Sequence, residues 1–453
     1  MNGAYQRMHK MTLAGLLGAS ALLAACNSDS FLTGGELSQD PNRPTQATSQ
    51  QLFIGIEANL WAEEQSDLAR VSGLWTQQLL GANNQYVDLY NYGVSEQITN
   101  GFHAGLYTGG GLVDLRRLEA QTSEAHDSVF HGVALVSEAL LMGTGASVFG
   151  DLTYTHALTG EQNPKLDPQL EVYDSVQVLL DRAIVELGAT GPTNFGPASA
   201  DFAYNGDAAA WIKLAHTLKA RFLMQTAEVR PTVYASVLTQ ASKGLMAASD
   251  NFNAVFSGNA NEQNFWYQFD IVQRPGYIAP NPEFVSLLQS RNDPRLAQYF
   301  NADQSDLNDA LISPSGNVPM ATANENLLLW AEAAQRTGDD ATALAKLNEA
   351  RVLAGLAAEQ AGLTGRALLS EILLEQYIAD FRSIEAWNLY KRTCTPNIAP
   401  VVAGVAVPAR FPYDLTERNT NTNIPPFSRQ PVRNANDPAN ATSDATGEAC
   451  RGQ

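Results

Sequence analysis

A run of helical periodicity between Glu325 and Leu356 limits the possible folds of this chain more than any other part of its sequence. The run, ENLLLWAEAAQRTGDDATALAKLNEARVLAGL, divides at Gly338-Asp339 into two short segments with an apolar face each. Alanines stand where the two helices would cross, and small side chains let antiparallel helices approach closely, as in a tetratricopeptide unit. We therefore expect a helix pair here. Such a pair cannot bury its apolar face alone.

Three further segments carry the same helical spacing and are expected to stack on this pair. Asp167-Pro168 has the residue types of a helix start, and apolar residues follow it at helical intervals. The candidate segments are residues 168–188, 207–247 and 366–392. The predicted fold class is mainly α: a tetratricopeptide-like helix-pair superhelix that carries an irregular, loop-rich subdomain.

Composition excludes several classes of function. Of the 453 residues, 45% are hydrophobic and 17% charged, which is enough apolar material for a core. The formal net charge of −19 would repel nucleic-acid phosphates, so we expect no nucleic-acid partner. Three cysteines without a Cys-x-x-Cys spacing, and histidines without an H-E-x-x-H pattern, give no metal site, and we expect no cofactor.

The first 26 residues resemble a bacterial lipoprotein signal peptide. Arg7 and Lys10 give a basic start, a short apolar run follows, and LAAC ends at Cys26. The apolar run is too short to span a bilayer as a helix. We predict a signal peptide over residues 1–25, lipidation of Cys26 with anchoring in the membrane, a flexible tether over residues 26–49, and a folded body over residues 50–453. An ordinary signal peptide followed by a chance cysteine is the alternative.

Long stretches rich in aromatic residues, Asn and Gln interrupt the helices, around residues 74–110 and 251–320. Sugars present apolar C–H faces and polar rims, so a sugar site needs flat rings flanked by amide and hydroxyl groups. These stretches have that composition, and the amides around Trp266 are hard to bury without partners. The candidate ligand-binding residues are Trp75, Asn83, Tyr86, Tyr90, Trp266, Tyr267, Arg274 and Tyr277. For any single ring, a place in the core is the competing interpretation.

The chain resembles the SusD/RagB family of outer-membrane nutrient-binding lipoproteins, in its SusD-like branch. No single motif is specific, but their order over most of the chain is. The resembling stretches are the lipobox with SDSFL, VFGDLTYTHAL, YDSVQVLLDRAIVEL, YNGDAAAWIKLAHTLKARFLMQTAE, NDPRLAQYF, the 325–356 unit, EAWNLYKRT and RFPYDLTERNTN. The small, polar end of the chain, NANDPANATSDATGEACRGQ, departs from the aromatic ending usual in the family.

The resemblance implies a scaffold of four helix pairs and an irregular subdomain laid across it. It also implies a partner, a TonB-dependent outer-membrane β-barrel, on which the protein would act as a hinged lid that captures oligosaccharide or peptide at the cell surface. The expected function is therefore nutrient binding and delivery without catalysis.

Two other classes of function remain open from the residues. A secreted glycoside hydrolase would need a pair of carboxylates, which Glu332, Glu349, Glu371, Glu375 and Glu385 could in principle supply. Their place on repeat-core helices favours a structural role, as does the salt-bridge spacing of Glu332 and Arg336. A helical-repeat scaffold that binds other proteins is the second alternative.

Cys394 and Cys450 are the two cysteines of the predicted body. In an oxidising location a disulfide between them would fasten the polar C-terminal tail to the helix ending near Lys391. We expect this bond as one of two open possibilities, the other being two free thiols.

Overall fold

Helices dominate the computed structural model, which describes residues 47–359, 362–434 and 442–452. The predicted signal peptide, Cys26 and nearly all of the tether lie outside the described residues. The first half contains α1 (Ser49–Gln65), α2 (Asp67–Trp75), α3 (Gln85–Tyr90), α4 (Asn100–Gly105), α5 (Leu112–Glu124), α6 (Ser128–Phe149), α7 (Gln169–Leu187) and α8 (Ala208–Met224). The second half contains α9 (Tyr234–Ala241), α10 (Phe265–Tyr267), α11 (Pro282–Ser290), α12 (Arg295–Tyr299), α13 (Ala323–Arg336), α14 (Asp340–Leu353), α15 (Gly365–Ala379), α16 (Glu385–Thr393) and α17 (Leu415–Thr420). The mainly α fold class is confirmed.

The helix pair predicted between Glu325 and Leu356 is α13 and α14, which pack against each other. The chain reverses at Gly338, whose φ of +87° is a backbone conformation that favours glycine. The carboxylate of Asp339 then caps α14 by accepting a hydrogen bond of 3.0 Å from the amide of Thr342. Alanines and leucines of both helices, together with Leu368 and Ile372 of α15, form one buried cluster. The small residues therefore lie at the helix contact, as the sequence predicts.

The other predicted segments also fold as helices that pack on their neighbours. The segment at 168–188 becomes α7, which packs on α6 as well as on α8. The segment at 207–247 becomes α8 and α9, and α9 packs on α13. The segment at 366–392 becomes α15 and α16, and α15 packs on α13. The helix pairs thus share buried faces with one another, as a repeat scaffold requires.

Helix α6 is the central core helix of this scaffold. Within the described part of the chain it alone is long and apolar enough to cross a membrane by length and composition, but its apolar window is completely buried inside the protein. Gly143 shows how closely its neighbours approach, because a Cβ atom there would lie 2.3 Å from the ring of Phe222 on α8. A helix that is apolar on all sides is expected at such a position.

The aromatic stretches fold into short elements between the helix pairs. Strand β1 (Leu79–Gly81) pairs antiparallel with β3 (Ile278–Pro280), and β2 (Phe252–Ala254) pairs antiparallel with β4 (Val318–Ala321). A π-helical turn over Gln268–Gln273 continues α10. These stretches lack clean periodicity because each element is short and its pairing partner is distant in the sequence.

Candidate functional site

Strands β1 and β3 bring the two aromatic stretches of the sequence together. Leu79 pairs with Pro280 and Gly81 with Ile278. Just beyond the strand ends, the side-chain amide of Asn83 donates a hydrogen bond of 2.7 Å to the carbonyl oxygen of Gly276, 193 residues away in the chain. Predicted ligand-binding residues from both stretches therefore lie on one part of the protein.

Four predicted residues form what we call the β1–β3 surface: Asn83, Tyr90, Arg274 and Tyr277. Asn83 is exposed and the other three are half-buried, so each presents part of its side chain to solvent. The guanidinium carbon of Arg274 lies 5.4 Å from the centroid of the Tyr277 ring, a distance typical of a cation–π contact. The surface thus offers two phenol rings, one amide and one cation to a ligand.

The phenol of Tyr90 is held in place by a residue that sequence reasoning missed. The side-chain amide of Asn281 donates a hydrogen bond of 3.1 Å to the Tyr90 hydroxyl, while its carbonyl oxygen caps α11 by accepting from the amide of Glu283. Burial raises the pKa of Tyr90, so the phenol is protonated at neutral pH and can donate as well as accept a hydrogen bond. The Asn-Pro dipeptide at residues 281–282 is a helix-start signal that could have identified Asn281 as a fixed position.

Three predicted ligand contacts are corrected by the structure, because Trp75, Tyr86 and Trp266 are buried. The indole N–H of Trp75 donates a hydrogen bond of 3.0 Å to the carbonyl oxygen of Leu89, and its ring packs between Trp387 and Phe411. Trp266 has no exposed surface. A ring without an open face cannot stack on a sugar, so we assign these residues to the support of the surface.

The support consists of a buried arginine with aromatic and acidic partners. Arg70 lies with its guanidinium carbon 4.2 Å from the centroid of the Phe269 ring and 5.9 Å from that of Trp266. Its Nε donates a hydrogen bond of 3.0 Å to the hydroxyl of Tyr86, which donates in turn to Asp67. Burial alone would raise the pKa of Asp67, but Arg70 and Tyr86 lower it below its usual value. An ionised carboxylate thus holds Arg70 and Tyr86 under the surface.

The remaining predicted residue, Tyr267, belongs to the same short helix as Trp266 and is half-buried. Its neighbour Trp266 points inward, between the guanidinium groups of Arg70 and Arg382. Adjacent residues of this segment thus take opposite environments. Tyr267 stays a predicted ligand contact.

The five carboxylates considered for a hydrolase all form ion pairs. Glu332 pairs with Arg392 and Arg336, Glu349 with Lys346, Glu371 with Arg291, Glu375 with Arg295, and Glu385 with Arg221. Burial alone would raise the pKa of Glu332, but Arg392 and Arg336 lower it to about 2. A carboxylate held ionised in this way cannot serve as the general acid of a glycosidase at neutral pH. These ion pairs favour a structural role.

The polar C-terminal tail is attached to the end of α16. Cys394 and Cys450 form a disulfide with Cα atoms 6.0 Å apart. The amide of Asp444 also donates a hydrogen bond of 3.0 Å to the carbonyl oxygen of Thr393. The tail is thus attached to the scaffold at the end of α16.

The fold is that of a helical-repeat protein with an inserted loop region. The family model described as "Starch-binding associating with outer membrane", SusD-like, matches residues 41–313, more than half of the chain. The chain belongs to the SusD-like family. Proteins of this family are binding proteins without catalysis, which confirms the prediction that the chain is not an enzyme. Among curated proteins, none matches it.

Solved structures agree in fold over most of the chain. A SusD/RagB family protein from Bacteroides thetaiotaomicron is 20% identical, with a TM-score of 0.67 over 89% of this chain and 100% of that one. A chitin-binding SusD homolog from Flavobacterium johnsoniae is 18% identical, with a TM-score of 0.70 over 85% and 98%. A structure from Bacteroides vulgatus is 18% identical, with a TM-score of 0.67 over 90% of this chain and 100% of that one. At these identities the likeness establishes the fold.

Proposed function

We propose that this protein is a lipid-anchored lipoprotein of the outer membrane that captures an oligosaccharide and delivers it to a TonB-dependent β-barrel transporter. The proposal combines family membership with the β1–β3 surface. The observation that carries it is the meeting of half-exposed phenol rings, an amide and one arginine from two distant parts of the chain. Such a combination can stack on the apolar face of a sugar and hydrogen-bond its rim.

A saccharide fits this surface better than a charged ligand. The protein has a formal net charge of −19, which disfavours anionic cargo. Arg274 is the one charged group of the β1–β3 surface, and its guanidinium group lies over the ring of Tyr277, so the other three residues of the surface are neutral. The family model is described as starch-binding, and one of the structural neighbours is called chitin-binding. These descriptions support a glycan as the ligand in preference to a peptide.

Calorimetry of the chain without residues 1–26 against malto-, cello- and chito-oligosaccharides tests ligand capture. We expect saturable binding to at least one series, and a loss of roughly two- to tenfold in affinity for Tyr90→Ala and Tyr277→Ala, since a stacked aromatic contact is worth about 0.5–1.5 kcal/mol. Tyr234→Ala, a half-buried tyrosine on α9, is the matched control and should bind normally. If no saccharide binds, or if all three variants bind equally well, the proposed site is wrong.

The membrane anchor and the transporter are tested separately in cells. Radiolabelled palmitate should enter the wild-type protein but not Cys26→Ser, since the thiol of Cys26 is the proposed acyl acceptor. Purification from detergent-solubilised membranes should bring down a large β-barrel. Recovery of the unlabelled protein from the cytosol would contradict the anchor, and recovery only with soluble proteins would favour an interaction scaffold.

A further inference from the structure

A separate aromatic cavity lies between helix α1 and the segment from Val255 to Phe265. Its volume is about 440 Å³, within the range of roughly 300–1,000 Å³ that is usual for small-ligand sites. The cavity shares no lining residue with the β1–β3 surface. The proposed saccharide site on the β1–β3 surface therefore does not account for this cavity.

One wall of the cavity is an apolar stripe on α1. Ile54, Ala58 and Trp61 recur at positions i, i+4 and i+7, which places them on one helix face. Ile54 is 41% exposed, whereas Phe53 and Ile56 on the opposite face are buried in the core. An apolar stripe left open to water beside a cavity is typical of a contact surface for a ligand.

Aromatic rings form the remaining apolar wall. The ring centroid of Trp61 lies 6.1 Å from that of Phe202 and 6.0 Å from that of Phe256. The ring of Phe256 meets that of Phe265 edge-on at 5.2 Å. Phe202 remains 48% exposed. Three of the four rings are phenyl groups, which contribute apolar surface but no hydrogen bond.

Backbone hydrogen bonds fix two of these rings. The amide of Phe202 donates a hydrogen bond of 2.9 Å to the carboxyl group of Glu57. Asn264 lies directly before Phe265. Its backbone amide donates a hydrogen bond of 2.8 Å to the carbonyl oxygen of Pro314, and its side-chain amide donates one of 2.7 Å to the carbonyl oxygen of Gly316. The cavity is therefore largely preformed, which lowers the entropic cost of binding.

The rim of the cavity is polar and carries no cation among its lining residues. Glu262 accepts hydrogen bonds from Ser257 and Asn259, which lower the pKa of its carboxyl group and keep it ionised. Asn261 is exposed and makes no side-chain hydrogen bond that the structure records within its described residues. The indole N–H of Trp61 is buried without an acceptor in the same part of the chain. The rim thus disfavours anions, and Asn261 offers an amide to a ligand.

We propose that this cavity binds a saccharide unit that carries an N-acetyl group. The proposal rests on the proposed function and names the class of sugar. A sugar without an acetyl group could stack its C–H face on one ring but would leave the aliphatic wall of Ile54 and Ala58 without an apolar partner. An acetyl methyl group matches that apolar wall, and the neutral amide next to it matches Asn261 without needing a cation.

Calorimetry of the processed full chain in detergent tests the proposal with two matched disaccharides, N,N′-diacetylchitobiose and cellobiose. They share the ring linkage and differ in the acetamido groups. We expect the acetylated disaccharide to bind at least tenfold more tightly. That preference should disappear in Phe256→Ala and in Ala58→Phe, which fills the cavity from an exposed helix position and leaves the core intact. Phe195→Ala, which removes a phenyl ring 79% exposed elsewhere, should keep the preference.

The outcomes separate this proposal from the proposed function. Equal affinity for the two disaccharides, or a preference that persists in both cavity variants, overturns the cavity assignment while saccharide capture stands. Binding of N-acetylphenylalanine amide in place of the disaccharide overturns it in favour of a peptide side chain. A tenfold preference that survives Tyr277→Ala supports a cavity site distinct from the β1–β3 surface. Absence of binding to every saccharide contradicts both proposals.

Discussion

Glu332 in the helix-pair scaffold and Asp270 beside the β1–β3 surface are both buried carboxyl groups, but their electrostatic surroundings are opposite. Glu332 accepts two hydrogen bonds from the guanidinium group of Arg392, at 2.5 and 2.7 Å. The carboxyl group of Asp270 instead lies beside the carboxyl group of Asp306, and Asp270 forms no ion pair within the described residues. Burial, followed by the nearby carboxyl group of Asp306, raises the pKa of Asp270 to about 8, although Arg70 acts in the opposite direction.

The scaffold and the loop region therefore differ in how their buried carboxyl groups are paired. In the scaffold, buried charges are paired, so the helix pairs have one well-defined arrangement. In the loop region a buried acid without an ion-pair partner in the described residues lies on a π-helical turn, Gln268–Gln273, and such turns occur frequently at functional sites. Local rules of stability are commonly broken where a protein keeps a surface for binding. The contrast is therefore consistent with ligand capture by the loops and support by the helices.

Removal of the scaffold carboxylate should have the largest effect on stability. Glu332→Gln removes the carboxylate that pairs with the buried guanidinium group of Arg392, and breaking a buried ion pair from one side costs about 3–5 kcal/mol. We expect that loss in the free energy of unfolding measured by urea denaturation. Glu349→Gln, which breaks the exposed pair with Lys346, should cost less than about 1 kcal/mol. Equal losses in the two variants would contradict the distinction between buried and exposed pairs.

The disulfide should have the next largest effect, and only on the scaffold. Cys394 and Cys450 are 56 residues apart, and closing a loop of that size in the unfolded chain contributes about 2–4 kcal/mol. The double variant Cys394→Ser/Cys450→Ser should lose that stability and keep its affinity for saccharide. Alkylation of the unreduced wild-type protein, followed by mass spectrometry, should leave both residues unmodified. Two alkylated thiols would show that the bond does not form.

Helical periodicity made the scaffold predictable, because an α-helix is a local structure. The division at Gly338 and the alanine contacts of α13 and α14 were both readable from the sequence. The helices at 168–188, 207–247 and 366–392 were readable for the same reason.

The binding surface was predictable only in part. Sequence composition identified the aromatic stretches, and the structure brings Asn83 and Tyr277 together through strands β1 and β3. Composition could not show that Trp266 points inward, since a ring's environment depends on partners such as Arg70 and Arg382 that are remote in the sequence. The cavity beside Trp61 was missed altogether, although Ile54, Ala58 and Trp61 form an apolar stripe that helical spacing could have revealed.

A substitution at Gly81 tests how tightly the loop region is packed. A Cβ atom at Gly81 would lie 1.9 Å from the carbonyl oxygen of Tyr86 and 2.8 Å from the Cβ atom of Tyr90. Gly81→Ala must therefore displace α3, and we expect a loss of about 1–3 kcal/mol in stability together with weaker saccharide binding through Tyr90. Gly55→Ala is the control, because a Cβ atom on that helix position meets nothing within 4 Å. Normal affinity in Gly81→Ala would separate Tyr90 from the ligand site.

The last expected effect, about 1.4 kcal/mol for each pH unit, is a change in the pH dependence of stability at Asp270. Its pKa rises from 3.8 to about 8 on folding, so between these values the folded protein holds a proton that the unfolded chain releases. The stabilisation of the folded state by this proton is fully present below about pH 4 and is lost as the pH rises through about 8. Glu332 has the opposite sign: its pKa falls from 4.5 to about 2, and its stabilisation is lost only as the pH falls.

The variant Asp270→Asn keeps the shape of the side chain but cannot titrate. Between about pH 5 and 8 its free energy of unfolding should therefore fall less than that of the wild type. We expect a difference of at least about 1 kcal/mol, since one pKa unit corresponds to about 1.4 kcal/mol. Asp303→Asn, an exposed acid in the adjacent loop, should retain the wild-type slope. If Asp270→Asn and the wild type show the same slope in urea denaturation, the unpaired carboxyl group does not distinguish the loop region from the scaffold.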